Sequence, residues 1–139
     1  MDDGKTVLRW DEDKEGHGCH QSGLVGAVDN SFGYIGIGGS DIFITRALDD
    51  DKKATVSQTM AALDQCVNAG ASIIVLSFGC TKCRDLLDES YFRSLADKGI
   101  MIFGASGNIG PASEPRYPSS FPGSVISVRY VTLSRSYYQ

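Results

Sequence analysis

The chain has 139 residues, 42% of them hydrophobic and 22% charged, a balance ordinary for one globular domain with a packed core. Its formal net charge is −4 and its thirteen basic residues are scattered, which argues against a nucleic-acid partner held through its phosphates. No apolar run approaches the roughly eighteen residues that span a bilayer, and the acidic start MDDGKTVLRWDEDKEG has no apolar signal-peptide core, so localisation stays open.

Residues 1–15 are charged, lack apolar periodicity and read as coil. GHGCHQSG, Gly16 to Gly23, holds both histidines of the chain, and Leu24, Val25, Ala27 and Val28 extend it as a short helix. Asp29 to Asp41, rich in Gly, Asn and Ser, reads as a loop. IFITRAL, Ile42 to Leu48, is β-rich and reads as a strand, and the acidic run Asp49 to Asp51 as a solvated turn. Val56, Met60, Leu63 and Val67 recur at helical spacing, with Gly70 as the stop. Ser72 to Ser77 is a continuous apolar strand of the kind buried on both faces. Phe78 to Cys83 is a loop, Leu87, Tyr91 and Leu95 mark a second helix ending at Gly99, and Ile100 to Ser106 is another buried strand. A loop holding all four prolines leads to a last strand, Val125 to Val128.

Helical patterns alternating with apolar strands imply an α/β fold with a parallel sheet covered on both faces. In such sheets functional groups gather at the carboxyl ends of the strands, where Ser77 to Cys83 and Gly104 to Asn108 fall. Glycines there let another backbone approach closely. Asn108 offers an amide donor of the kind that stabilises an oxyanion, and a histidine flanked by glycines at a helix start can act as general base. Cys80-x-x-Cys83 with Cys19 and His20, or His17, offers a second reading, a zinc-binding module; a Cys80–Cys83 disulfide in an exported parent protein, or free thiols, are the alternatives for that pair.

The first reading gains weight from a resemblance. GHGCHQSGLVGAV is similar to the GHGTH-V-A-G stretch around the catalytic histidine of subtilisin-like serine proteases, and DNSFGYIGI to the loop that follows it. TMAALDQCVNAGASIIVLSFG resembles the family's helix and strand ending in SLG, GIMIFGASGN its strand bearing the oxyanion asparagine, and YPSSFPGSVISV its Y-P-A-x-x-P-x-V-I-x-V stretch. The five occur in the family's order from about Gly16 to Val128.

The resemblance implies a three-layer α/β fold, a mostly parallel sheet with helices on both faces, truncated at both ends. It implies a serine endopeptidase acting on peptide or protein substrates, with no cofactor needed for the chemistry. His17 matches the general base and Asn108 the oxyanion donor. Ser77, Phe78, Gly79 and Gly107 match the substrate-binding segments. Val28, Asn30, Phe32 and Tyr34 match a loop that in many members binds a structural calcium ion.

Two expected parts are missing from these 139 residues. The family's aspartate sits well upstream of the histidine in a D-S/T-G setting, which Asp2, Asp3, Asp11 and Asp13 all lack. No G-T-S-M-A stretch holds a nucleophile, and Ser113, Ser119, Ser120, Ser134 and Ser136 have the wrong context. The expected organisation is a poorly ordered segment 1–15, a partial peptidase domain 16–128, and a divergent tail 129–139. A non-catalytic, peptide-binding pseudoprotease is the alternative. Export of the parent protein is compatible with either.

Overall fold

A computed structural model describes residues 11–38, 41–108, 110 and 114–130. The chain divides into two compact units, Met1–Ala69 and Gly70–Gln139.

In the first unit, α1 spans His17–Gly26 and α2 spans Val56–Asn68. No residue of α1 is fully buried, so its ends are held by polar contacts. The loop after it folds back on its C-terminus. The amides of Ile37 and Gly38 donate to the carbonyls of Leu24 and Val25 at 3.0 and 2.8 Å, satisfying groups a helix end leaves open. Gly36 makes this return fit: a Cβ there would lie 2.6 Å from the Ala27 nitrogen and 2.7 Å from the Gly23 oxygen.

Helix α2 starts at a capping box. The Thr55 hydroxyl accepts from the Gln58 amide while Gln58 accepts from the Thr55 amide. The helix ends before Gly70, at φ +81. Residues 42–48, expected as a strand, pair with no strand among the described residues. Their anchors are side chains instead. Thr45 donates to Gln65 at 2.7 Å, and Arg46 pairs with Asp50 while donating to the carbonyls of Leu48 and Glu12. The acidic turn is as expected, with Asp49 accepting from the amides of Asp51 and Lys53.

The second unit holds three parallel strands in the order β1 (Ile73–Leu76), β2 (Met101–Ala105), β3 (Ile126–Val128). Ile73 pairs with Met101, Leu76 with Gly104, and Phe103 with Ile126. Helix α3, Glu89–Asp97, connects β1 to β2 and starts at Asp88, whose carboxylate accepts from the amides of Ser90 and Tyr91. Phe92, Leu95, Ile102 and Phe121 are almost wholly buried, and the Phe92 and Phe121 rings lie 5.3 Å apart. The loop before β3 presses on β2 at Gly104, where a Cβ would meet Ser119 and Val125 at 2.9–3.0 Å.

One sequence expectation changes here. Ser72 to Ser77 reads as buried on both faces, yet burial alternates along β1: Ile74 and Leu76 are buried, Ile73 and Val75 half-exposed. The buried pair shares its face of the sheet with Ile102 and Gly104, toward α3 and the 117–125 loop.

Candidate active site

His17 is the first residue of α1 and is exposed. Its position is fixed by two carboxylates just upstream. Asp13 accepts from the amides of Gly16 and Cys19, each at 2.8 Å, and Glu15 accepts from the His17 amide. Negative charge at a helix N-terminus meets both the open amides and the positive end of the dipole. The amides of Cys19 and then Gly16 hold the Asp13 carboxyl down at about 2. Glu15 is lowered too, chiefly by Lys52, which pairs with it at 2.5 Å. The Cys19 thiol shares the Asp13 carboxylate and is pushed above its usual range.

The zinc reading needs Cys80 and Cys83 as thiolates. Cys80 and Cys83 are joined to each other as a disulfide. The spacing that suggested a ligand pair is therefore spent on a covalent link, and the zinc-binding reading is withdrawn.

The 28–34 loop also belongs to the first unit. Asn30 Oδ1 accepts from the Phe32 amide at 3.1 Å, closing a side-chain turn. Val28, Phe32 and Tyr34 are exposed.

In the second unit, Ser77, Phe78 and Gly79 follow β1, and Gly107 and Asn108 follow β2. Since β1 and β2 are adjacent and parallel, both segments leave the sheet at the same end. Strand β1 is at the edge of the described sheet, the flank to which an extended peptide can add. Gly107 has φ +94, which turns the chain directly after Ser106. Asn108 is exposed, and its side-chain amide makes no hydrogen bond among the described residues.

One residue here escaped the sequence reading. The Arg116 guanidinium lies between the two segments. Its Nη1 donates to the Gly79 carbonyl at 3.3 Å, and its Nε and Cδ would lie 2.5 and 2.6 Å from a Cβ on Gly107. The only available signal was a lone cation in a proline-rich, charge-poor loop. Next to it, Cys80 and Tyr117 exchange backbone hydrogen bonds at 3.0 and 2.8 Å, fastening the loop to the end of β1.

Comparison with known proteins identifies the family and the fold. A family model described as the subtilase family matches residues 4–138, running through both the N-terminal segment and the tail that the motifs left aside. The minor extracellular protease Epr of Bacillus subtilis is 28% identical over 118 residues, covering 84% of this chain and 18% of that protein. Subtilisin BL of Lederbergia lenta is 30% identical over 111 residues, 79% of this chain and 40% of its own length. Among solved structures, the psychrophilic subtilisin-like protease of Pseudoalteromonas sp. AS-11 superposes with a TM-score of 0.71 at 28% identity, covering 81% of this chain and 26% of that one. Sphericase gives 0.62 at 25% identity, over 76% of this chain and 36% of its own. The chain thus spans well under half the length of these relatives, and its fold is α/β and subtilisin-like.

Proposed function

The chain belongs to the subtilase family, and from that premise we propose that it supplies the base, the oxyanion donor and the peptide-binding edge of a serine endopeptidase. In this reading His17 takes the proton from an attacking serine hydroxyl and returns it to the leaving amine. The Asn108 side-chain amide donates to the oxyanion of the tetrahedral intermediate. Ser77, Phe78 and Gly79 pair with the substrate as an added strand, and Gly107 turns the chain beside it. The serine and the orienting aspartate would come from outside these 139 residues.

The observation that supports this most is local. Two loops from adjacent parallel strands share one end of the sheet, one following the strand at the edge of the described sheet and the other carrying an amide with no partner among the described residues. Peptide or protein is the matching substrate class. Among the described residues no helix is long and apolar enough to cross a membrane. The disulfide fits an oxidising compartment, and export is part of the proposal.

Calcium would be structural, not a reactant. Asn30 Oδ1 and the carbonyls of Val28, Phe32 and Tyr34 offer four oxygens against the six to eight calcium takes. They do not make a site by themselves, and no step passes through the ion.

Hydrolysis of fluorescent casein by the 139-residue chain and by His17→Ala tests the assignment. Neither should cleave, since removing the nucleophile removes covalent catalysis. Cleavage by the native chain that His17→Ala abolishes would mean that a serine within the chain is the nucleophile.

A further inference from the structure

We propose that Arg116 makes the peptide-binding edge selective for an acidic side chain, its guanidinium being the counter-ion of a Glu or Asp carboxylate of the bound peptide. The proposal rests on the reading of Ser77–Gly79 and Gly107–Asn108 as a peptide edge. Arg116 spans the two segments, with Nη1 on the Gly79 carbonyl and its stem against Gly107.

Its charge has no counter-ion among the described residues. Lys82, Arg84, Asp85 and Glu114 are the charged residues on the neighbouring segments 80–86 and 114–117. Neither of the two carboxylates pairs with Arg116. Arg84 lies over the Tyr117 ring, 5.9 Å from its centre, and adds positive charge beside the loop. The Nε of Arg116 is buried and finds no acceptor, and the neighbouring Ser106 hydroxyl is in the same state. A buried donor without an acceptor is costly, and a guanidinium presents its donors in a planar fork that matches a carboxylate. With Nη1 held by Gly79 and Nε enclosed beside Gly107, Nη2 remains for a ligand. A peptide laid along Ser77–Gly79 passes this guanidinium, so an acidic side chain at that point gains an ion pair with it, whereas an amide of the same shape gains only a hydrogen bond.

The test is binding of blocked alanine-rich peptides in which one position, scanned along the peptide, is Glu, Gln or Lys. Dissociation constants are read by NMR titration of the intact chain. At the responsive position Glu should bind about ten to a hundred times more tightly than Gln, the range for a hydrogen bond to a charged group. Arg116→Gln should bring that ratio to about one with the Gln peptide still bound, Arg116→Lys should keep part of it, and Arg116→Glu should turn the preference toward Lys. Equal binding of the Glu and Gln peptides at every position, or a Glu preference that survives Arg116→Gln, overturns the proposal and leaves the peptide edge standing. Failure of every peptide to bind the native chain overturns the peptide edge itself, and the selectivity with it.

Discussion

Gly107→Ala probes the seat of Arg116 and the turn beside Asn108 together. At φ +94 an alanine pays backbone strain of about 1–3 kcal/mol. Its Cβ would also fall 2.5 Å from Arg116 Nε and 2.6 Å from Cδ, so the guanidinium must swing away. Those atoms end a flexible side chain, so the extra cost is the lost bond to the Gly79 carbonyl and not a fixed clash. That bond is long, at 3.3 Å, and worth about 0.5–1.5 kcal/mol. The sum is about 1.5–4.5 kcal/mol, a large fraction of a domain's stability. Urea unfolding followed by far-UV circular dichroism should show it as a lower midpoint with an unchanged slope. In an Arg116→Ala background only the strain remains, so the double-mutant cycle should close with a coupling of about 0.5–1.5 kcal/mol. A Gly107→Ala cost that is the same with and without Arg116 would refute the contact between them.

Gly36→Ala should cost about 1–3 kcal/mol by the same assay, because its Cβ meets backbone atoms of Gly23 and Ala27 that have no rotamer to yield; a neutral result would refute the tight return over α1. Phe121→Ala should cost about 3–5 kcal/mol, since the ring is almost wholly buried against Phe92 and Tyr117; a loss below about 1 kcal/mol would mean the 117–125 loop is not part of the core. Asp13 has a folded pKa lowered from 3.8 to about 2, so its contribution is fully present above about pH 5 and is lost as pH falls through 3.8 toward 2. The gap in urea midpoint between native and Asp13→Ala should therefore be constant above pH 5 and close below pH 4; a gap that persists at pH 2 would show that the carboxylate does not act by charge.

How much of this could be read from the residues depended on the range of the interaction. Helix α2 was legible because Val56, Met60, Leu63 and Val67 recur at helical spacing and Gly70 marks its stop; its capping box at Thr55 and Gln58 came from the structure. Strands β1 and β2 were legible as apolar runs, but their half-exposed members were not, since burial depends on what packs against each face. Ile42 to Leu48 carries β-forming residues and still pairs with no strand among the described residues, because pairing needs a partner that propensity cannot supply. GHGCH and GASGN pointed to His17 and Asn108, the proposed base and oxyanion donor, because such roles attach to short motifs. Arg116 carried no such mark: it matters only where the fold sets it between Gly79 and Gly107. The Cys80–Cys83 spacing was compatible with a metal pair, free thiols or a disulfide, and only the folded geometry chose.

The central claim is that the ends of β1 and β2 form a peptide-binding edge. The most direct test is an NMR titration of the 15N-labelled chain with an extended, blocked peptide. The account predicts the largest amide shifts at Ser77, Phe78, Gly79, Gly107 and Asn108, saturating together with one dissociation constant. Binding that leaves those amides unmoved while others shift would contradict it.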